Sequence, residues 1–367
     1  MTSAPIMPRP IMIMAGGTGG HVYPALAVAQ ALIAERQPVF WLGTQRGIEA
    51  RVVPANGIDI EWVSVSGLRR KGALSLIAAP FRLVWALLQS LTVIARRRPA
   101  AVLGMGGFVS GPGGLAAWLA RRPLVIHEQN AAAGLTNRLL ARLARVVLQA
   151  FPGSFSTSVG AATVGNPVRP DIAAIAPPKE RYSKRQGPLR LLVLGGSQGA
   201  LALNELVPKA LARLPASSRP VVRHQCGERT RERAERAYAG TDTEASIESF
   251  IEDMAGAYAW ADLVICRAGA LTVAEICAAG LPAIFVPYPA AVDDHQTANA
   301  RLASDSGAAV TVQEHELDDA RLAELLAENL RDRASLLRRA EIARSLAHPE
   351  SLPLIAGHCL KAAGVRP

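Results

Sequence analysis

The feature that most constrains the fold of this chain is a local pattern that occurs twice. Near the N-terminus, an apolar run leads through a glycine-rich loop into an alanine-rich helical stretch in "IMIMAGGTGGHVYPALAVAQAL". The same order returns about 180 residues later in "LRLLVLGGSQGALALNELVPKAL". A buried strand followed by a glycine turn and a helix is the opening unit of a parallel α/β domain. The repeat therefore predicts two such domains in one chain.

Strand-like and helix-like stretches alternate through the rest of each half. Apolar runs include "QPVFWLG", "AVLGMG" and "PLVIHE" in the first half, and "VVRHQCG", "DLVICRAG" and "PAIFVPY" in the second. Such runs indicate parallel sheets with helices on both faces. The 367 residues are also enough for two cores. We predict an α/β protein with two Rossmann-like, doubly wound parallel-sheet domains that face each other across a cleft.

The domain boundary is expected at a stretch rich in proline and charge, "VGNPVRPDIAAIAPPKERYSKRQGP". We place the first domain at residues 1–167 and the second at residues 168–345. Beyond "HELDDARLAELLAENLRDRASLLRRAEIARS", which is typical of amphipathic helices, a last helix at 346–367 is expected to pack back on the first domain.

Charge and composition restrict the classes of partner. The formal charge of +10 indicates nucleic acid, an anionic membrane surface or a phosphorylated substrate. Aromatic residues make up 5% of the chain, and the aromatic and basic motif of RNA-binding sheets is missing, which argues against nucleic acid. The cysteines lack CxxC spacing, so we expect neither a zinc site nor a disulfide framework; they are Cys226, Cys266, Cys277 and Cys359. The first residues do not resemble a signal peptide.

The glycine loops suit an anion, because backbone N–H groups at a helix N-terminus can surround a pyrophosphate. The same glycines could simply let the chain turn sharply after a strand. The strand after the first loop, "VFWLGT", lacks the acidic residue that holds the ribose of NAD, and the chain has no P-loop motif. A further loop, "GMGGFVSGPGG", follows another strand of the first half. The candidate pyrophosphate ligands are Gly16, Gly17, Gly106 and Gly107.

Two polar residues next to these loops have both a chemical and a structural interpretation. His21 directly follows the first glycine loop, where it either takes part in the chemistry of the site or merely caps or packs at the start of a helix. Glu275 lies in "CRAGALTVAEICAAG", where its carboxylate could accept hydrogen bonds from the two hydroxyls of a ribose. Alternatively, Thr272 and Glu275 could form a helix capping box.

The most hydrophobic segment runs from Ala73 to Ala95 and approaches the length of a membrane span. Proline, arginine and glutamine inside it argue against spanning. We expect it to lie on a membrane surface, or to be buried as a crossover helix, or to do both with opposite faces. Apolar side chains would then enter the lipid and basic ones would meet anionic headgroups. The apolar ones are Leu76, Ile77, Phe81 and Trp85, and the basic ones are Arg69, Arg70, Lys71 and Arg96–Arg98.

Taken together, the motifs resemble the MurG family. The matching stretches run in family order, and they include "GGTGGHVYPALAVA", "SGLRRKG", "GMGGFVSGPGGLAAW", "HEQNAAAGLTNRLLAR", "VGNPVR", "GGSQGA", "FIEDMAGAYAWADLVICRAGALTVAEICAAGLPAIFVPYP" and "DDHQTANA". The resemblance implies the two-domain glycosyltransferase B fold (GT-B). It also implies inverting transfer of N-acetylglucosamine from UDP-N-acetylglucosamine to lipid I, the undecaprenyl-pyrophosphoryl muramyl-pentapeptide, which gives lipid II.

The resemblance also implies roles for particular residues. His21 would be the base, and Glu128 a rival base or an orienting group. The residues that match donor-binding positions of the family are Thr18, Gly19, Gly20, Asn130, Arg169, Ser197, Ile251, Ala270, Leu271, Thr272, Val273, Ala274, Glu275 and Gln296. His295 stands where some members have a second glutamine.

The resemblance implies no metal and no cofactor, so Asp293, Asp294 and His295 are expected to form a solvated loop. It places the enzyme at the cytoplasmic face of the inner membrane, without a span, where other cell-wall synthesis proteins are further partners. The rival hypotheses are another GT-B enzyme that makes glycolipids, a related UDP-sugar epimerase, and a catalytically silent protein that binds nucleotide sugars.

Overall fold

The structure is a computed structural model that describes residues 8–65, 79–196, 199–291 and 294–365. The chain divides into two compact units. The first unit comprises Met1–Pro167 together with Glu350–Pro367, and the second comprises Val168–Pro349.

The described part of the first unit contains a sheet of seven parallel strands in the order β3-β2-β1-β4-β5-β6-β7. The strands are β1 (Ile11–Met14), β2 (Val39–Gly43), β3 (Ile60–Trp62), β4 (Ala101–Gly104), β5 (Leu124–Glu128), β6 (Val146–Gln149) and β7 (Ala162–Thr163). The helices are α1 (Gly19–Ala34), α2 (Glu49–Ala55), α3 (Ala79–Arg97), α4 (Ser110–Leu119) and α5 (Leu135–Leu140), with a 3₁₀ helix at Thr157–Val159.

Strand β1 shows why the first sheet is covered on both faces. Ile11 and Ile13 belong to one hydrophobic core, whereas Met12 and Met14 belong to a second core on the opposite face. All four side chains are fully buried. Because successive side chains of a strand alternate between the faces of the sheet, an uninterrupted apolar run requires helices on both sides.

The chain returns to the first unit at its C-terminal end. Helix α15 (Ser351–Ala362) contributes Ile355 and Cys359 to the core that contains Ile11 and Ile13. Both residues of α15 are almost completely buried. The helix therefore completes the hydrophobic cover on one face of the first sheet.

The described part of the second unit contains a sheet of six parallel strands in the order β10-β9-β8-β11-β12-β13. They are β8 (Arg190–Leu194), β9 (Val221–Gln225), β10 (Ala245–Glu248), β11 (Leu263–Cys266), β12 (Ala283–Phe285) and β13 (Ala309–Thr311). The helices are α6 (Pro170–Ala173), α7 (Pro178–Ser183), α8 (Leu201–Arg213), α9 (Arg231–Tyr238), α10 (Met254–Trp260), α11 (Ala270–Ala279), α12 (His295–Asp305), α13 (Asp319–Asn329) and α14 (Arg333–Ser345). Among the described residues, 3₁₀ helices lie at Ala216–Ser218, Glu228–Thr230 and Glu314–Glu316.

The strand order reverses once in each sheet. In the first unit the reversal lies between β1 and β4, and in the second it lies between β8 and β11. The loops after the carboxyl ends of such neighbouring strands diverge, and open α/β sheets bind ligands in the crevice that this creates. The glycine-rich loops of this chain follow those strands.

Helix α3 has one buried and one exposed face. It buries Ala86, Ser90, Val93 and Ile94, while an apolar row of Phe81, Val84, Trp85 and Leu88 is exposed to 78%, 57%, 58% and 50%. Within the described ranges, no helix has the length and apolarity needed to cross a membrane. The predicted membrane contacts of Arg69, Arg70, Lys71, Leu76 and Ile77 lie outside the described residues.

Two of the three arginines at the end of α3 have acidic partners in the same unit. Arg96 lies 2.5 Å from Glu61, and Arg97 lies 3.1 Å from Asp59 and 3.5 Å from Glu61. Their charges are therefore partly balanced by the protein itself.

Candidate active site

His21 is the third residue of α1, and its imidazole is held by the segment that follows β5. The Nδ1 atom lies 2.9 Å from Oε1 of Gln129. On another side the ring packs against Gly106, where a Cβ atom would lie 2.7 Å from Nδ1. Gly106 also has a φ of 95°, which favours glycine. The second glycine loop thus makes room for the imidazole of His21.

The two glycine loops of the first unit pack directly on each other. A Cβ atom on Gly107 would lie 2.2 Å from the carbonyl oxygen of Gly16, and the φ of Gly107 is 81°. Glycine is thus required at this contact for steric reasons as well as for backbone conformation. The structure therefore brings Gly16, Gly106 and Gly107 together beside His21.

A carboxylate that sequence reasoning missed lies under the first loop. Glu49 is fully buried, and its Oε2 accepts a hydrogen bond of 3.1 Å from the backbone N–H of Gly17. Its Oε1 accepts bonds from the N–H and hydroxyl of Thr44, at 3.1 and 2.7 Å. The N–H of Gly17 is therefore already donated to an internal anion. Nothing in "GIEARVV" signals this role, because Gly17 is far from Glu49 in sequence.

The amides that follow Gly17 begin a helix. Thr18 is the N-cap of α1, and its side chain makes no capping hydrogen bond. Its carbonyl oxygen accepts from the N–H groups of His21 and Val22. Thr18 and Gly20 are exposed and Gly19 is half-buried, so this helix N-terminus faces outward with its partial positive charge.

Glu128 ends β5 and organises the loop that follows. Its Oε1 accepts from the backbone N–H and the Nδ2 of Asn130, at 3.0 and 3.2 Å. Its Oε2 accepts from the N–H of Gly134 and the Nδ2 of Asn137, at 3.2 and 2.8 Å. A carboxylate has about four acceptor positions, and all are used here. This geometry favours the orienting role of Glu128 over the role of a base.

His127 lies next to Glu128 and is buried inside the sheet. Its Nε2 lies 2.9 Å from the carbonyl oxygen of Gly165, and its Nδ1 lies 3.0 Å from Nε2 of Gln129. Burial lowers the pKa of His127 to about 4, so the ring is neutral near pH 7. The polar cluster "HEQN", which directly follows the apolar run "LVI" and spans the carboxyl end of β5, was the signal in the sequence that could have found His127 and Gln129.

In the second unit, the segment 270–275 forms the start of α11. The N-cap is Gly269, and it makes no side-chain capping bond. Thr272 and Glu275 therefore lie inside the helix, and the capping-box interpretation is wrong. Ala270, Leu271, Thr272, Val273 and Ala274 follow the carboxyl end of β11, next to the reversal of strand order.

Glu275 is held by two neighbours and is partly accessible. Its Oε2 accepts a bond of 3.1 Å from the hydroxyl of Tyr258, and its Oε1 lies 3.4 Å from Nε of Arg169. Its side chain is 19% exposed, and that of Arg169 is 45% exposed. Burial raises the pKa of Glu275, and the charge of Arg169 offsets part of this effect. The structure thus joins two residues that were predicted from separate motifs.

The other described residues of the second unit that were predicted to bind the donor nucleotide sugar lie near the same edge of its sheet. Ile251 is almost fully buried and lies between β10 and α10, the helix that carries Tyr258. Gln296 lies in the first turn of α12, and its Oε1 accepts from the N–H of Tyr288 at 2.9 Å. Asn299 of the same helix donates to the carbonyl oxygen of Ala268, at 3.1 Å, which ties α12 to the loop before α11.

Ser197 and Asp293 lie outside the described residues. In the ranges that the structure does describe, no group of three or more His, Cys, Asp or Glu side chains is placed to hold a metal ion. The four cysteines are buried free thiols.

Comparison with known proteins agrees with this architecture. The model of the glycosyltransferase family 28 N-terminal domain matches residues 11–149, and that of the family 28 C-terminal domain matches residues 190–351. A protein of Alkalilimnicola ehrlichii is 57% identical over 357 residues, which cover 97% of this chain and all of the relative. A protein of Marinobacter nauticus is 52% identical over 363 residues, or 99% of either chain. Both are named UDP-N-acetylglucosamine--N-acetylmuramyl-(pentapeptide) pyrophosphoryl-undecaprenol N-acetylglucosamine transferase.

The chain belongs to the MurG family of glycosyltransferases. A crystal structure of Acinetobacter baumannii MurG matches with a TM-score of 0.86 and 41% identity, over 96% of this chain and all of that one. The calicheamicin glycosyltransferase CalG4 matches with a TM-score of 0.68 at 18% identity, over 98% and 99% of the two chains, which shows the fold alone. The resemblance to the MurG family and the predicted GT-B fold class, with two Rossmann-like parallel-sheet domains, are confirmed.

Proposed function

We propose that this chain transfers N-acetylglucosamine from UDP-N-acetylglucosamine to the muramyl sugar of lipid I, giving lipid II, as a step of peptidoglycan synthesis. Relatives at 52–57% identity over almost the full length are named for this reaction. The observation that carries the mechanism is the position of His21, held beside two glycine loops at the carboxyl edge of the first sheet.

The chemistry requires a base. The acceptor hydroxyl is a weak nucleophile near neutral pH, and a positioned side chain must take its proton as the new bond forms. In the proposed step, Nε2 of His21 accepts this proton while the hydroxyl oxygen bonds to the anomeric carbon. The bond from that carbon to the phosphate oxygen breaks, and UDP leaves with the electron pair. Attack from the face opposite to UDP inverts the anomeric configuration.

Glu128 supports this step indirectly. Its four hydrogen bonds fix the loop that carries Asn130, which we propose as a donor-sugar ligand together with Thr18, Gly19 and Gly20. The acceptor pyrophosphate would lie at the glycine loops of the first unit. Because the N–H of Gly17 is donated to Glu49, Gly17 would serve there through its backbone conformation.

The second unit would bind the donor. Two acceptor positions of Glu275 are used by Tyr258 and Arg169, and the carboxylate can still accept from a ribose diol. The N-terminus of α11 would attract the phosphates. Arg169, Ser197, Ile251, Ala270, Leu271, Thr272, Val273, Ala274 and Gln296 would complete the site for UDP-N-acetylglucosamine.

A transfer assay with labelled UDP-N-acetylglucosamine and a lipid I analogue tests this function. We expect His21→Ala to lower kcat by roughly 10²- to 10⁴-fold, with little change in KM for the donor. His315→Ala is the control, because His315 is an exposed histidine of the second unit and should retain full activity. If the folded wild-type protein binds UDP but transfers no sugar, a silent nucleotide-sugar-binding protein is the better hypothesis.

We further propose that α3 binds the cytoplasmic face of the inner membrane. The exposed row of Phe81, Val84, Trp85 and Leu88 lies on one side of the helix, and the buried residues lie on the other. Aromatic and aliphatic side chains in such a row can enter the interfacial layer of a bilayer. Because Arg96 and Arg97 have acidic partners, the apolar row should contribute more to binding than these arginines do.

Sedimentation with vesicles of anionic lipid tests the membrane proposal. We expect Phe81→Asp with Trp85→Asp to reduce the bound fraction strongly. Phe250→Asp is the matched control, since Phe250 is an exposed aromatic residue of the second unit. Equal binding of both variants would contradict the role of α3.

A further inference from the structure

A chain of hydrogen bonds connects the backbone of the first unit to the imidazole of His21. It runs from the carbonyl oxygen of Gly165 through His127 and Gln129 to Nδ1 of His21, with three contacts of 2.9, 3.0 and 2.9 Å. His127 and Gln129 are both almost completely buried. In each contact one partner must donate a proton and the other must accept it, so the contacts together determine which ring nitrogens are protonated.

The orientation of the Gln129 amide follows from its surroundings. One end of the amide lies 3.0 Å from the carbonyl oxygen of His127, and a carbonyl oxygen can only accept. That end must therefore be the amino group, Nε2. The other end, which faces His21, must be the oxygen, so the polarity of the link is fixed without reference to any tautomer.

His127 agrees independently with this orientation. Its Nε2 faces the carbonyl oxygen of Gly165 and must carry a proton. Because burial keeps the ring neutral near pH 7, its Nδ1 carries a lone pair, which accepts the second N–H of the Gln129 amino group. Both N–H groups of Gln129 are then used, one by the ring and one by the backbone of His127.

We propose that Gln129 is a positioning residue that holds the proton of neutral His21 on Nδ1, so that the Nε2 lone pair is available to take the proton of the acceptor. This inference rests on the proposed role of His21 as the base. An amide oxygen can accept the Nδ1 proton but cannot donate one, and the hydrogen bond at one ring nitrogen determines the protonation of the other. Without this acceptor the proton could move to Nε2 and occupy the basic lone pair.

The link also persists during the reaction. When His21 has taken the acceptor proton, both of its nitrogens are protonated, and Nδ1–H still donates to Gln129. The neutral amide thus orients the ring in both protonation states without adding a charge to the site. The ring cannot shift toward the second glycine loop, because Gly106 packs directly against it.

The variant Gln129→Met tests the inference, because it keeps an unbranched side chain of similar size and removes the acceptor. The matched control is Gln149→Met, since Gln149 is a buried glutamine at the end of β6 in the same unit and bonds Thr163 and Phe155 instead of a histidine. We expect Gln129→Met to lower kcat about ten- to hundred-fold with little change in either KM, and the control to retain activity. In the His21→Ala background, Gln129→Met should cause no further loss.

Nitrogen NMR of histidine-labelled protein provides a readout that does not depend on activity. In the wild type near pH 8, we expect Nδ1 of His21 to show the signal of a protonated nitrogen and Nε2 that of an unprotonated one. In Gln129→Met the two signals should move toward each other as the tautomers mix. A wild-type His21 protonated on Nε2, an unchanged tautomer in Gln129→Met, or an unchanged kcat would each overturn the inference. If His21→Ala keeps its kcat, the base role itself fails, while the NMR result still decides whether Gln129 sets the tautomer.

Discussion

The carboxyl edges of the two sheets hold their acidic side chains in different ways. In the first unit, Glu49 and Glu128 are buried, and they accept three and four hydrogen bonds from groups nearby in the fold. In the second unit, Glu275 accepts from Tyr258 and contacts Arg169 among the described residues. The first edge is saturated by internal donors, whereas the second keeps acceptor capacity.

This difference agrees with different proposed roles for the two edges, proton transfer in the first unit and ribose recognition in the second. Proton transfer needs a base held within a fraction of an ångström, so the polar groups around His21 should be bound to one another before substrate arrives. Recognition of a ribose needs a carboxylate with unused acceptor positions. The proposed function, with the base in the first unit and the donor site in the second, accounts for this difference.

The largest expected effect is on the stability of the first unit, whose carboxylates have all their acceptor positions occupied or nearly so. Glu128→Ala would remove the buried carboxylate that accepts from the half-buried Asn130, the exposed Gly134 and the buried Asn137. We expect it to lower the free energy of unfolding of the first unit by about 2–4 kcal/mol, mainly through the loss of the bond to Asn137 and of the links that order the loop. Urea unfolding of wild type and variant measures this loss. Glu275→Ala is the paired variant of the second unit and should cost less, about 1–2 kcal/mol, because it removes two contacts instead of four and leaves one buried donor, the hydroxyl of Tyr258, without this acceptor. Equal losses in the two variants would remove the contrast between the edges.

The second prediction concerns the affinity for UDP. For this quantity we expect the substitution of Glu275 to have a larger effect than the substitution of Glu128. Glu275→Ala should weaken the binding of UDP about ten- to hundred-fold, because hydrogen bonds to a charged group are worth about 1.5–3 kcal/mol. Isothermal titration calorimetry with UDP and UDP-N-acetylglucosamine measures the change, and Glu232→Ala is an exposed control in the same unit. Unchanged affinity in Glu275→Ala would leave this residue with a structural role alone.

Much of the fold could be predicted from the sequence, because buried strands of a parallel sheet are continuous apolar runs. The runs at Ile11–Met14 and Arg190–Leu194 are central strands in the structure. The interpretation of Thr272 as a helix cap was wrong, since the helix starts two residues earlier and is capped by Gly269. Cap residues and glycine turns have similar local patterns, so the exact start of a helix depends on its tertiary neighbours.

The site was less predictable than the fold. His21 and Glu275 stand beside glycine turns, and this local pattern was enough to predict them as candidates. Glu49 and Gln129 depend on partners 32 and 108 residues away in sequence, so their roles arise only when β2, β1, β4 and β5 have assembled into one sheet. A glutamate at the start of a short helix otherwise predicts an exposed residue.

The third prediction uses acid to probe the saturated edge. Burial lowers the pKa of His127 to about 4 from an ordinary value of 6.5. Between these values the unfolded chain binds a proton that the folded unit does not, so stability must fall as the pH decreases from about 6.5 to about 4. From about pH 7 to about pH 5 we expect a loss of about 2 kcal/mol from this group.

Hydrogen exchange of peptides from each sheet, corrected for intrinsic rates, separates the two units. His127→Gln should remove this part of the acid sensitivity from the first unit. The second unit should keep its own, because burial also lowers the pKa of His224, to about 3. An identical acid response of the first unit in wild type and variant would show that His127 is not the group responsible.

The smallest expected effect is on UDP affinity and comes from the hydrogen bond between Tyr258 and Glu275. It tests whether this bond holds the carboxylate in place before the ligand binds. Burial raises the pKa of Tyr258 well above its usual range, so its hydroxyl stays protonated and donates to Glu275. Tyr258→Phe removes one hydrogen bond worth about 0.5–1.5 kcal/mol, and UDP should bind about two- to ten-fold more weakly in calorimetry. Arg169→Ala provides the comparison, because it removes the other contact of the same carboxylate. A loss in Tyr258→Phe as large as that in Glu275→Ala would mean that UDP affinity at the second edge depends on an internal hydrogen-bond network more than on acceptor positions left open for the ribose.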